Sequence, residues 1–221
     1  MIGKTLYIIL ISSIPLNVYS QYRMTKPEIY KYWIETSKYL DDVDFYKTGF
    51  DSMVVNYIDN LKVAGIDTIG AYSLDYVGYF TSDTCKCGII PWVAYVQWTK
   101  KGKTFHQKIT KCCHFKSKII GYSVLIKFYT YNKKNIDNER IMPIIHGATK
   151  GKNGDIILDM AMIDHTEHYS IYCYLNGHSK FTTFEPFYLE KEDNIFYSDN
   201  INSTIINWQK LIENQINEMD Q

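Results

Sequence analysis

The sequence predicts a mainly β domain, most simply a single antiparallel up-and-down β-barrel, with a β-sandwich as the alternative. Segments rich in β-branched and aromatic residues recur at short spacing between turn residues such as Lys101-Gly102-Lys103 and Asn176-Gly177. Parallel βαβ units would need a helix between successive strands, whereas these segments follow one another as hairpins. Closing the meander into a barrel removes its exposed edges. The predicted strands cover residues 52–58, 67–80, 89–99, 104–114, 118–131, 140–148, 155–164, 169–175 and 181–190.

Residues 1–20 are typical of a secretory signal peptide. One basic residue, Lys4, precedes an apolar stretch over residues 6–18, and small residues occupy the two expected cleavage positions, the second being Ser20. The stretch is shorter than a membrane-spanning helix. We therefore predict a secreted, extracellular protein that begins at Gln21 and does not insert into the membrane. An N-terminal anchor or a buried first helix is the alternative.

Residues 21–221 are long enough to form a single domain with its own hydrophobic core. The 24 lysine and arginine residues equal the 24 aspartate and glutamate residues. Because no net field attracts polyanions, the composition disfavours binding to nucleic acid or to an anionic membrane. The 20 tyrosines suit half-buried strands and polar pockets equally, since each has an apolar body and a polar tip.

A helix is predicted near the start of the mature chain. Thr25 is a suitable N-cap, Pro27 follows just inside the helix, and Glu28 lies in its first turn. Apolar residues then recur on one helical face up to Leu40. The alternative is a strand that begins at Trp33, because tryptophan, isoleucine and threonine favour pleated surfaces.

The last predicted element is an amphipathic helix over residues 203–219. Asn202 or Ser203 would cap it, and its apolar residues recur every three or four positions, as in a helix packed on an apolar surface. Asn202-Ser203-Thr204 is also a glycosylation sequon, so we predict a glycoprotein if the secretory path is eukaryotic. The apolar positions are Ile205, Ile206, Trp208, Leu211, Ile212, Ile216 and Met219.

The five cysteines are Cys85, Cys87, Cys112, Cys113 and Cys173. An exported chain favours disulfide bonds, and the odd number leaves at least one thiol free or paired with another chain. We predict that Cys173 is oxidised, through a bond to one of the two cysteine clusters. A structural zinc site in those clusters is the alternative, although they lack the usual Cys-x2-Cys spacing.

The C-terminal part of the chain resembles the lipocalins. Residues 157–173 resemble the family's paired final strands, residues 184–190 the closing strand, and residues 205–219 the helix outside the barrel. Residues 32–39 resemble the first motif of the family, in which a tryptophan opens the first strand. The resemblance implies a closed eight-stranded barrel that holds one small apolar ligand or binds a partner protein on its outside.

Alternating positions on two predicted strands indicate which residues face the interior. Trp92, Ala94, Val96 and Trp98 share one face, and Ile120, Tyr122, Val124, Ile126 and Phe128 share another. We predict that a small apolar ligand contacts Trp92, Trp98, Tyr122, Val124 and Phe128. A fully packed interior is the alternative, in which case the outer surface would bind an extracellular protein.

The sequence carries no local motif of a hydrolase, a metalloprotease, a nucleotide-binding loop or a dinucleotide-binding fold, so we predict a binding protein without a cofactor rather than an enzyme. The densest histidine cluster is at residues 164–168, where His165 and His168 are the pair to test for metal binding. A solvated polar turn is the stronger interpretation of that cluster.

Overall fold

The structure is a computed structural model, and it describes residues 22–37, 46–75, 92–161, 167–190 and 192–220. The predicted signal peptide lies outside these residues. The described helices are α1 (Lys26–Thr36), α2 (Tyr46–Gly49), α3 (Ser52–Val63), α4 (Val124–Asn138), α5 (Tyr197–Ile201) and α6 (Thr204–Asp220). The described strands are β1 (Tyr22–Arg23), β2 (Thr68–Asp75), β3 (Trp92–Lys100), β4 (Lys103–Thr110), β5 (Lys118–Ile120), β6 (Ile144–Lys150), β7 (Ile156–Ala161), β8 (His168–Leu175) and β9 (His178–Phe184).

The predicted antiparallel β architecture is confirmed, and the described residues form no closed barrel. The described strands form a six-stranded sheet in the order β5-β4-β3-β2-β8-β9 and a three-stranded sheet in the order β1-β6-β7. The larger sheet is open, because β5 and β9 are its edges and do not pair with each other. The arrangement of two sheets is as consistent with the alternative prediction, a sandwich, as it is with a barrel.

Two of the predicted barrel strands are helical instead. Residues 52–58 belong to α3, where the Asp51 carboxylate accepts the Met53 N–H at 2.8 Å, and most of residues 118–131 belong to α4. Ser123 caps α4 by accepting the Ile126 N–H at 3.0 Å. Both segments contain β-branched residues that favour strands, but a capped first turn and packing on the sheet outweigh that preference.

The N-terminal helix is confirmed, so the alternative strand at Trp33 is wrong. The Glu28 carboxylate accepts hydrogen bonds from the Thr25 N–H and the Thr25 hydroxyl, both at 2.7 Å. These bonds satisfy a donor that the start of a helix leaves unpaired. Ile29 on this helix is buried against the smaller sheet, in a cluster that includes Met142 and Phe196.

The C-terminal helix is confirmed nearly as predicted. The Ser203 hydroxyl accepts the Ile206 N–H at 3.2 Å, and the Glu139 carboxylate accepts the Thr204 N–H at 2.7 Å. A carboxylate at this end of α6 also interacts favourably with the helix dipole. The apolar stripe is buried on one face of the larger sheet together with α4, rather than outside a barrel.

Helices cover both faces of the larger sheet. On one face α4 and α6 pack on Tyr72, Tyr95 and Ile171, and on the other α2 and α3 pack on a separate cluster that includes Ala71 and Val96. The middle of β2 and β3 is therefore buried on both sides, which explains why their sequences do not alternate between apolar and polar residues.

The prediction that Cys173 is oxidised is wrong. Its thiol is free, is 0% exposed, and lies 3.9 Å from the Leu125 carbonyl oxygen. Burial raises the pKa of this thiol well above its usual value, which suppresses the reactive thiolate. Cys112 and Cys113 each take part in a disulfide bond. Cys85 and Cys87 lie outside the described residues.

We expect iodoacetamide to leave Cys173 unmodified in the native protein and to label it in denaturant without reductant, because only unfolding exposes the thiol. Peptide mass spectrometry identifies the labelled residue, and Cys173→Ser provides the blank. Labelling of native Cys173, or a requirement for reductant after unfolding, would contradict this expectation.

Candidate ligand pocket

One face of the larger sheet changes from apolar to polar along its strands. In antiparallel pairing Asp75 lies opposite both Trp92 on β3 and His168 on β8, so the three residues form a row across the sheet. In the next row Ser73 lies opposite Ser170, which in turn lies opposite Thr183. Residues two positions apart on a strand share a face. These polar rows therefore continue the face on which Ala71 and Val96 are buried.

Among the described residues, the helices that cover this face leave its polar end open. The chain passes from α2 to α3 through Phe50 and Asp51, and these residues form a wall beside the two polar rows. The result is a pocket of about 440 Å³, within the range that holds small molecules. We call it the polar pocket, and it is lined by Thr48, Gly49, Phe50, Asp51, Asp75, Trp92, His168, Ser170 and Thr183.

Local hydrogen bonds hold the polar side chains of the pocket. The Ser73 hydroxyl donates to Asp75 Oδ1 at 3.1 Å, and the Ser170 hydroxyl donates to Thr183 Oγ1 at 3.3 Å. Asp51 is held by its role as the N-cap of α3. These bonds restrict the side chains and leave further acceptor positions on both carboxylates, since an ionised carboxylate has about four of them.

Partial burial raises the pKa of the Asp75 carboxyl above its ordinary value. The nearby Asp51 carboxylate raises it further, while the hydrogen bond from Ser73 and the charge of His168 act in the opposite direction. A carboxylate that is partly removed from water gains more from a cationic partner than an exposed one does. Among the described residues no lysine or arginine forms an ion pair with Asp75.

The pocket combines negative charge with aromatic surface. Trp92 and Phe50 are 6% and 5% exposed, and both lie in the apolar cluster that borders the two carboxylates. Aromatic faces and carboxylates both attract an ammonium group. No group of three or more metal-binding side chains occurs in the described part of the chain.

The predicted ligand residues on β3 share one face as expected, but only one of them reaches the pocket. Trp92 lines it, whereas Trp98 is buried deeper under α3, stacked on Phe105 with ring centroids 5.4 Å apart. The parity prediction for β3 is therefore confirmed, while the pocket occupies only the end of that face.

The other three predicted ligand residues do not join them. Tyr122 is 51% exposed, Val124 begins α4, and Phe128 packs on the opposite face of the sheet. The prediction assumed alternation along a strand, whereas in a helix residues three and four apart share a face. The Val124 N–H donates to Gln215 Oε1 at 3.0 Å, a contact that ties the start of α4 to α6.

His168 lines the polar pocket, and His165 lies outside the described residues, so their predicted pairing at a metal is not tested. His106 is buried on the α6 face, stacked on Tyr95, and burial lowers the pKa of its imidazole to about 4.

Sequence reasoning missed the two carboxylates of the pocket. In the structure Asp75 ends a strand and Asp51 caps a helix. Polar residues at such positions usually have a structural role, so neither attracts notice in the sequence. The informative signal is the pairing of β2 with β8, which brings Asp75 opposite His168 and cannot be derived from one sequence.

Comparison with known protein families, with curated proteins and with solved structures finds no match to this chain. The lipocalin resemblance therefore stays a prediction. In the part of the chain that the structure describes, every helix is too short or too polar to cross a membrane.

Proposed function

We propose that the protein is a secreted binding protein that holds a small organic cation in the polar pocket. The observation that carries the proposal is the row of Asp75, Trp92 and His168, which puts a partly buried carboxylate beside an aromatic ring. The proposal keeps the predicted carrier function but changes the ligand from a largely apolar molecule to one with an ammonium group. The proposal that the protein is exported is supported by residues 1–20, and the proposal that it is glycosylated is supported by the Asn202 sequon.

The ligand that suits this pocket has an ammonium group and a flat apolar part. The ammonium group would approach the Asp75 and Asp51 carboxylates, and the apolar part would contact Trp92 and Phe50. Charge-assisted hydrogen bonds and cation–π contacts are stronger in a partly desolvated site than in open water. The site has the residues for binding and orientation, and the proposal includes no chemical step.

We expect isothermal titration calorimetry to detect binding of phenethylammonium and to detect much weaker binding of 2-phenylethanol, which lacks the charge. Asp75→Asn should weaken phenethylammonium binding about tenfold or more, since hydrogen bonds to charged groups contribute about 1.5–3 kcal/mol. The matched control is Asp159→Asn, which alters an exposed carboxylate on β7 of the other sheet.

The same titration should depend on pH in one direction. Because an ammonium ligand binds the ionised Asp75 carboxyl, its affinity should fall as the pH decreases through the raised pKa of that carboxyl. Equal affinity of the wild type and Asp75→Asn, or equal binding of the amine and the alcohol, would contradict the proposal.

A protein-binding function is the second candidate, and one surface favours it. Ile119 on the edge strand β5 is 62% exposed, and Tyr122 nearby in the chain is 51% exposed. Large apolar side chains exposed together mark interaction surfaces in many proteins. If calorimetry with a panel of amines gives no binding, this outer surface becomes the better candidate site.

A further inference from the structure

Three tyrosine rings surround the ammonium group of Lys62 on the sheet face that also carries the polar pocket. The Lys62 Nζ atom lies 4.4 Å from the ring centroid of Tyr46, 5.3 Å from that of Tyr172 and 5.2 Å from that of Tyr174. All three distances fall within the range of cation–π interactions. We call the three rings the tyrosine cage.

The cage is assembled from three elements, and two of its three rings are buried. Tyr46 begins α2, Lys62 lies in the last turn of α3, and Tyr172 and Tyr174 lie two positions apart on β8. The rings of Tyr46 and Tyr172 are stacked with centroids 4.5 Å apart, and they are 1% and 0% exposed. Stacking and burial therefore restrict the Tyr46 and Tyr172 rings.

Polar contacts complete the cage around the ammonium group. Lys62 Nζ donates to the Tyr46 hydroxyl oxygen at 3.0 Å and lies 3.7 Å from Asp59 Oδ1. The Tyr46 hydroxyl in turn donates to Asp59. An ammonium group at this position contacts a carboxylate, a hydroxyl oxygen and several aromatic faces. These are the acceptors that recognise alkylammonium ligands.

Tyr172 keeps its neutral form in this setting. Burial raises the pKa of Tyr172, and the neighbouring Tyr46 raises it further. Among the described residues the buried Tyr172 hydroxyl has no hydrogen-bond partner. A polar atom buried without a partner is a cost that a site built only for packing would avoid.

We propose that the tyrosine cage is an ammonium-binding site whose resident occupant is the Lys62 side chain, and that it binds a small primary alkylammonium when this side chain is removed. The resident occupant fastens α3 to α2 and to β8. The site shares no residue with the polar pocket, so this inference stands whether or not the pocket binds an organic cation.

The test is chemical rescue of Lys62→Ala. The substitution removes the side chain beyond Cβ, and n-propylammonium supplies the same carbons and nitrogen. We expect Lys62→Ala to melt at a lower temperature than the wild type. Propylammonium chloride should then raise the Tm of this variant more than equal concentrations of sodium chloride or 1-propanol do, and more than it raises the Tm of the wild type.

Two controls make the outcome specific. The first is Lys47→Ala, which removes a lysine whose Nζ lies 6.0 Å from the Tyr46 ring and should create no propylammonium response. The second is the double variant Lys62→Ala with Asp75→Asn, which should keep the rescue because the polar pocket takes no part in it. A Tm of Lys62→Ala that responds equally to propylammonium, salt and propanol would overturn the proposal.

Lys62→Met tests the same proposal if Lys62→Ala does not fold. Methionine keeps most of the apolar stem and lacks the charge. We expect its Tm to fall below that of the matched variant Lys47→Met. Equal melting temperatures of Lys62→Met and the wild type would mean that the cage does not bind the ammonium group, and would overturn the proposal as well.

Discussion

Trp208→Ala is expected to lower the free energy of unfolding by about 3–5 kcal/mol, the largest single effect that we predict. The ring is 0% exposed in the cluster between α6, α4 and the larger sheet. Its Nε1–H donates to the Leu125 carbonyl oxygen at 2.9 Å, and it stacks on Tyr129 with centroids 5.6 Å apart. Alanine would leave a cavity and would remove the indole hydrogen bond to this carbonyl oxygen.

Urea unfolding followed by circular dichroism measures this effect, and two variants calibrate it. Trp208→Phe keeps an aromatic ring but loses the hydrogen bond to Leu125, so its cost should be smaller. Lys210→Ala alters an exposed position of the same helix and should change the free energy by less than about 0.5 kcal/mol. A cost of Trp208→Ala as small as that of Lys210→Ala would mean that α6 is not docked.

Asn200→Ala is expected to lower the free energy of unfolding by about 2–4 kcal/mol, because it leaves buried backbone groups without partners. Asn200 is 1% exposed, and its side chain accepts the Met142 N–H at 2.9 Å while donating to the Met142 carbonyl oxygen at 2.8 Å. The amide thus pairs with the backbone as a neighbouring strand would, and it joins α5 to the segment that leads into β6.

Asn200→Asp is the matched variant for this prediction. It keeps an acceptor for the Met142 N–H, but it loses the donor and buries a carboxyl group. Both variants should be destabilised, and the Met142 amide should exchange its hydrogen faster in Asn200→Ala. Asn207→Ala, at an exposed position of α6, is the control. Stability of Asn200→Ala equal to that of Asn207→Ala would contradict the bridging role.

The elements that the sequence predicts well are those whose signals are local. The capping box of Thr25 and Glu28 and the apolar stripe of α6 depend only on nearby residues. The turns at Lys101-Gly102 and Asn176-Gly177 have positive φ at both positions, as two-residue hairpins of the predicted kind require. These signals hold in any fold that contains the segment.

The predicted strand at residues 118–131 is mostly helical because its residues fit both periods, and only its start forms a strand, β5. Its isoleucine, valine, phenylalanine and tyrosine residues favour a strand, and its alternate positions are apolar. Tertiary packing decides that the segment forms a helix. Leu125 packs against Gly70 of β2 so closely that an added Cβ at Gly70 would lie 2.1 Å from Leu125 Cδ2. Contact between a helix and a glycine on a distant strand cannot be inferred from local periodicity.

The candidate site could not be predicted from the sequence for a similar reason. Trp92 was identified from strand parity, and His168 from its place in a histidine cluster, but nothing local connects them to Asp75 or Asp51. The connection is the strand order β3-β2-β8, in which β2 pairs with a strand far along the chain. An open sheet covered on both faces also moves the site from a barrel interior to the polar end of one face.

Chemical-shift mapping with phenethylammonium tests the central claim most directly. In a protein labelled with ¹⁵N, the account predicts that the indole N–H of Trp92 and the backbone amides of Asp75 and Ser170 shift on titration. The indole signals of Trp98 and Trp208, which are buried away from the pocket, should stay in place. Shifts confined to other residues, or no shifts at any concentration of the amine, would contradict the assignment of a cation-binding pocket to this end of the sheet.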